Sequence, residues 1–166
     1  MLSRRDWKNE LQDQLWDNFL VYTPQMPNKQ NAQYEERKIL FEKIINKLED
    51  NFILIGHSLG AIFIVKYLSE NTISKKIDKT LLLGTPFDND MEADPLTWFL
   101  RQGSLKKFEE QAGKIFFYHS EDDCAVPFEH ALKYRAELPH VNFRLMKDRN
   151  HFLQGEIPEL ILDIIH

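Results

Sequence analysis

The run Phe52-Ile53-Leu54-Ile55-Gly56-His57-Ser58-Leu59-Gly60-Ala61-Ile62-Phe63-Ile64-Val65 constrains this chain more than any other stretch. Phe52 to Ile55 is short, β-branched or aromatic, and closed by glycine, the pattern of a strand buried on both faces. From Leu59 the period changes. Ile62, Val65 and Leu68, with Ala61 and Phe63 beside them, describe a helix with a broad apolar face that runs to about Glu70, where Asn71 ends it. Between strand and helix the chain must reverse within a few residues, which forces Ser58 into a strained backbone with its hydroxyl thrust outward. Only small neighbours fit around such a turn, so a Cβ at either Gly56 or Gly60 is expected to collide with the strand or the helix. Ser58 then stands at a helix N-terminus, where unpaired amides and the helix dipole favour developing negative charge.

A bare G-x-S-x-G arises by accident in roughly one chain in twenty of this length, so its weight lies in the strand before it and the helix after it. With 166 residues, 43% hydrophobic and 28% charged, the chain is long enough for one sizeable core, and a single domain over residues 1–166 is expected. A net charge of -5 with scattered basic residues argues against nucleic acid as a partner. One cysteine, Cys124, excludes an internal disulfide and a multi-cysteine metal site, and makes a reducing, cytoplasmic setting the default. Met1 to Asn18 has no apolar core of signal-peptide type and no apolar run approaches membrane-spanning length, so a soluble protein without a membrane partner is expected.

Along the chain, Arg4 to Asn18 has the spacing of an amphipathic helix, with Trp7, Leu11, Leu15 and Trp16 on one face. Phe19 to Tyr22 reads as a short strand, and the two prolines of Thr23 to Asn28 make a loop. Tyr34 to Leu48 is a second amphipathic helix, burying Leu40, Phe41, Ile44, Ile45 and Leu48. Further strands are expected at Ile77 to Leu83, Lys114 to His119 and Val141 to Met146, and further helices at Leu105 to Gln111, Phe128 to Leu138 and Ile157 to Ile165. Strand and helix alternate throughout, which demands a parallel sheet covered on both faces, an α/β architecture. The segment from Phe87 to Ala112 is long enough to be a lid or pocket wall. His57, pinned beside Ser58, and Trp98 or Phe99 are expected to wall a small apolar pocket; a helix packing on the core is the alternative for Trp98 and Phe99.

In open parallel sheets ligands bind beyond the carboxyl ends of the strands, so reactive side chains belong in the loops that follow strands. Three such loops carry chemistry: Ser58, then Glu121, Asp122 and Asp123, then His151. The chain order nucleophile, acid, base is that of an α/β-hydrolase triad. Ser58 needs a base to take its proton, His151 is placed to be that base, and a carboxylate would fix the imidazole tautomer. Of six histidines, His57 lies inside the turn, His130 in a helix, His140 before its strand, His119 before the acid and His166 at the end of the chain. Asp123 is preferred as the acid because it stands just before the turn into the next helix. Glu121 and Asp122 then read as solvated loop charges, Asp88 as the reserve acid, and Cys124 as a small buried filler.

Taken together, Gly56-His57-Ser58-Leu59-Gly60, Ser120-Glu121-Asp122-Asp123-Cys124-Ala125-Val126-Pro127-Phe128 and Asn150-His151-Phe152 resemble the small α/β-hydrolases of the YdeN and retinoblastoma-binding-protein-nine type. The resemblance runs from about Phe19 to the C-terminus, and its D-x-x-V-P and H-F elements are far more specific than the serine turn alone. It implies an α/β-hydrolase-like three-layer sandwich, a Ser58, Asp123, His151 triad, carboxylesterase-like hydrolysis of small esters or amides, and no cofactor or metal. An oxyanion hole of this kind takes one amide from the residue after the nucleophile, here Leu59. The resembling proteins open with a strand ending in a His-Gly loop, which supplies the second amide. This chain begins at the helix that would follow, so reduced activity and stability are expected, with an upstream segment restoring both. The rival expectations are a hydrolase-fold binding protein with an unreactive Ser58 and an N-terminally truncated gene product.

Overall fold

The computed structural model describes residues 7–89, 99–154 and 156–166. In chain order the elements are α1 (Trp7–Leu15), α2 (Tyr34–Ile45), β1 (Phe52–His57), α3 (Leu59–Glu70), β2 (Ile77–Leu83), α4 (Lys106–Gln111), β3 (Lys114–Ser120), α5 (Glu129–Glu137), β4 (Asn142–Met146) and α6 (Pro158–Ile165). They fall into two compact units, Met26–His151 on the one hand and Met1–Gln25 with Phe152–His166 on the other.

The larger unit is built on a four-stranded sheet of order β1-β2-β3-β4, parallel at every pairing. Among the described residues each strand passes to its neighbour through one helix, and α3, α4 and α5 contribute to one apolar cluster, as right-handed crossovers that all advance the same way require. There Leu82 and Phe117, in register, join Ala61 to Val65, Leu68, Phe108 and Tyr134 in one apolar cluster. Phe117 stacks on Phe143 of β4 at 5.3 Å between ring centroids. The alternate residues Leu81, Leu83, Phe116 and Tyr118 are buried as well, which is why β2 and β3 read as continuous apolar runs. α3 is apolar almost all round for the same reason, and Asn71 ends it, its side-chain amide donating to the Tyr67 carbonyl at 3.1 Å.

β1 departs from expectation. It lies at an edge of the sheet, with β2 as its one ladder neighbour among the described residues, and Phe52 to Ile55 are half-buried instead of enclosed on both faces.

In the smaller unit, α1 buries Trp7, Leu11 and Leu15 and α6 buries Leu160 and Ile164. Two expectations fail here. α1 ends at Leu15, so Trp16 leaves the buried stripe and is exposed. Phe19 to Tyr22 joins no ladder among the described residues, and Leu20 and Tyr22 stand in solvent, because a four-residue apolar run makes a strand only where a partner strand meets it. No described helix is long and apolar enough to cross a membrane.

Candidate active site

The parallel arrangement brings the C-terminal ends of all four strands to one edge, and ladder-like hydrogen bonds continue into the loops beyond. Ser58 N–H donates to the Leu83 carbonyl, Gly84 N–H to the Tyr118 carbonyl and Glu121 N–H to the Met146 carbonyl, each at 2.8 to 2.9 Å. The loops after β1, β2 and β3 are each thereby pinned to the neighbouring strand.

Ser58 is locked at both ends. Beyond its own N–H bond, its carbonyl accepts from Ala61 and Ile62 in the first turn of α3. The result is φ 53° and ψ -117°, a conformation that costs an L-residue about 1–3 kcal/mol and persists only where the surroundings impose it. Gly56 makes the turn possible: a Cβ there would stand 2.7 Å from Ala61 Cα and 2.9 Å from the Gly60 carbonyl oxygen. The same argument fails at Gly60, where an added Cβ meets nothing within 4 Å among the described residues, so the steric demand falls on one glycine of the pair. Leu59 opens α3, and its amide, the first of the helix, has no intrahelical acceptor.

His151 and Asp123, 28 residues apart in the chain, meet in the buried interior of this edge. His151 Nδ1 lies 2.9 Å from Asp123 Oδ2 and 3.0 Å from Oδ1. A carboxylate facing Nδ1 at that distance places the imidazole hydrogen there and leaves Nε2 as the basic nitrogen. Asp123 Oδ1 also accepts from the amides of Ala125 and Val126 at 2.9 and 2.8 Å, which is what the Asp-x-x-Val-Pro pattern encodes: the acid folds its own loop around itself. Burial alone would raise the Asp123 pKa. The hydrogen bond from His151, the two amides and the charge of His151 outweigh it and hold the carboxyl below the ordinary value of 3.8. Asp88, the reserve acid, is engaged elsewhere: it pairs with Lys133 at 2.5 Å and lies 3.6 Å from His130.

Among the described residues no hydrogen bond joins Ser58 Oγ to His151 Nε2, and such bonds tighten when substrate closes the site.

Several residues assist this pair in ways the sequence did not disclose. Gly84, with φ +52°, passes so close that a Cβ would stand 3.0 Å from His151 Cε1 and Nδ1 and 3.2 Å from Asp123 Oδ2. His119 is fully buried, donates from Nε2 to the Val126 carbonyl at 2.9 Å and reaches within 4.0 Å of Asp123 Oδ2, bracing the acid loop from β3. Burial holds its imidazole below 6.5, although the Val126 carbonyl and Asp123 pull the other way. Asp122 is no idle solvated charge: one carboxylate oxygen accepts from Ser120 Oγ and from the Asn150 amide at 2.9 Å, tying the acid loop to the loop that carries His151. Cys124 is exposed instead of buried, its thiol donating to Asn150 Oδ1 at 3.1 Å on the same seam. Each is a contact across loops, invisible to spacing.

Of the residues expected to wall a pocket, the structure describes Phe99 and His57. Phe99 belongs to the core, edge-on to Tyr34 at 6.2 Å and 5.4 Å from the Arg37 guanidinium. Trp98 lies outside the described residues. His57 directs its ring at His151, with 4.8 Å between centroids.

The fold is shared with solved structures. The ydeN gene product of B. subtilis superposes with a TM-score of 0.81 at 21% identity, over 99% of this chain and 91% of that one. A YdeN-like hydrolase from Pectobacterium atrosepticum gives 0.69 at 12% identity, over 97% and 80%. A carboxylesterase structure from the thaumarchaeon Nitrososphaera gargenis gives 0.68 at 15%, over 96% and 82%. At these identities the likeness establishes an α/β-hydrolase-like fold. Among curated protein sequences none matches the chain. The serine hydrolase family model matches residues 3–154, and the chain belongs to that family of hydrolases.

Proposed function

We propose that the chain is a carboxylesterase-like serine hydrolase of small esters or amides, working through Ser58, His151 and Asp123. The observation that carries the reading is the double approach of the Asp123 carboxylate to His151 Nδ1, at the sheet edge where Ser58 occupies a strained strand-to-helix turn. With Nδ1 protonated against Asp123, His151 Nε2 takes the Ser58 hydroxyl proton as Oγ attacks the substrate carbonyl. The Leu59 amide, at the head of α3, stabilises the oxyanion. His151 then returns the proton to the departing alcohol or amine, leaving an acyl-Ser58 ester, and water activated by the same nitrogen releases the acid. Asp123 stays ionised throughout and stabilises the imidazolium.

Hydrolysis of p-nitrophenyl acetate and of a long-chain p-nitrophenyl ester tests this. The short ester is expected to turn over faster, and Ser58→Ala, His151→Ala and Asp123→Asn are each expected to lower kcat by ~10⁴-fold or more with folding retained. Undiminished turnover in Ser58→Ala would overturn the proposal.

A further inference from the structure

His57 immediately precedes Ser58 at the end of β1, and its Nε2 lies 2.8 Å from the backbone carbonyl oxygen of His151. A carbonyl only accepts, so Nε2 of His57 carries the hydrogen and donates it. The opposite end of the same residue is held too: His151 N–H donates to Asn150 Oδ1 at 2.7 Å, and His151 Nδ1 faces Asp123. Amide, carbonyl and Nδ1 of His151 are thus each tied to a different residue. Among the described residues its Nε2 is the one polar atom left to act.

These ties matter because the loop after β4 is held by bonds to neighbouring segments, the Arg149 amide donating to Ser120 Oγ at 3.0 Å and the Asn150 amide to Asp122 Oδ1 at 2.9 Å. It runs through Asn150 in the left-handed region, with φ 46°, and lacks the regular ladder that fixes the strand before it. Its seam with the acid loop orients it from one side, through Asp122 and Cys124. The His57 bond comes from the other side, and from the residue adjoining Ser58.

We propose that His57 is a positioning residue: by gripping the His151 carbonyl it ties the base to the strand end that presents the nucleophile, and so fixes the approach of His151 Nε2 to Ser58. This rests on the reading of His151 as the base for Ser58. It gives His57 a task distinct from walling a substrate pocket, and the two separate cleanly. A brace acts on turnover, a pocket wall on substrate affinity. Since misplacing a catalytic group by about 1 Å costs on the order of a hundred-fold, a brace that limits smaller excursions is worth about ten-fold.

The test uses two variants with the same amide chemistry and different reach. In His57→Gln the side-chain nitrogen can occupy the place of imidazole Nε2, whereas in His57→Asn it falls short. Two quantities are read: kcat and KM for p-nitrophenyl acetate, and the downfield proton resonance of the hydrogen between His151 Nδ1 and Asp123. His57→Asn is expected to lower kcat about ten-fold at unchanged KM and to broaden or abolish the resonance, and His57→Gln to recover most of both. Equal kcat and an intact resonance in both variants, or a rise in KM at constant kcat, would overturn the inference. If the unaltered chain hydrolyses no ester, the proposed activity fails by itself. The resonance still decides whether His57 holds His151, because it needs no turnover.

Discussion

Gly84→Ala tests the site without touching any residue assigned a chemical role. Two costs are separable. The first is conformational: at φ +52° a non-glycine residue pays about 1–2 kcal/mol, which in a chain of this size lowers the thermal midpoint by about 2–8 °C. The second is local. The new methyl would stand 3.0 Å from two atoms of the His151 ring and 3.2 Å from Asp123 Oδ2, closer than ordinary contact, so the imidazole and carboxylate must yield by a few tenths of an ångström. With ~100-fold lost per ångström of misplacement, and a weakened His–Asp bond added, kcat/KM for a short ester should fall about 10- to 100-fold, or ~1.4–2.8 kcal/mol of transition-state stabilisation. Gly103→Ala supplies the control, since it carries the same kind of backbone cost at φ +83° where an added Cβ meets nothing within 4 Å among the described residues. Thermal melts and initial rates on both variants are expected to show comparable loss of stability and a loss of rate in Gly84→Ala alone. Full activity in Gly84→Ala, with its midpoint lowered, would mean that the His151–Asp123 pair is not the working pair.

Removing the carboxylate in Asp122→Ala should free the Asn150 amide and lower kcat several-fold while hydrogen exchange at that amide accelerates, whereas Asp122→Asn keeps an acceptor oxygen and should stay near the unaltered rate. His119 has a folded pKa below its unfolded 6.5, so the unfolded chain takes up the proton first: its contribution to stability is complete above pH 6.5 and is lost as the pH falls from there through the folded value. Denaturant melts of His119→Gln, which keeps a donor toward the Val126 carbonyl without titrating, should therefore fall less steeply with acidification below pH 6.5. Gly56→Ala must displace backbone at Ala61 and Gly60 and is expected to cost about 3 kcal/mol by the same melts, against little for Gly60→Ala beyond the helix preference for alanine.

The sequence was most readable where local rules act alone. Among the described residues, apolar runs and turn residues located all four sheet strands and six helices to within a few residues, since burial on a parallel sheet leaves few other patterns. The loops after strands were legible for the same reason, and the Asp-x-x-Val-Pro pattern that begins at Asp123 serves its own loop amides. Contacts made through space were not legible. Nothing in the spacing says that a Cβ at Gly84 would crowd His151, that Asp122 straps the Asn150 amide 28 residues on, or that His57 reaches a carbonyl 94 residues away. Phe19 to Tyr22 misled for the converse reason: strand formation depends on a partner, and an apolar tetrad carries no information about one.

The central claim, that Ser58 is a nucleophile served by His151 and Asp123, meets its most direct test in covalent labelling. The folded chain is treated with a fluorophosphonate and the modified peptide is mapped by mass spectrometry, in parallel with His151→Ala and Asp123→Asn. The account predicts one adduct, on Ser58, formed orders of magnitude more slowly in both variants. An adduct on Ser104 or Ser120, or labelling of Ser58 at an undiminished rate without His151, would contradict it.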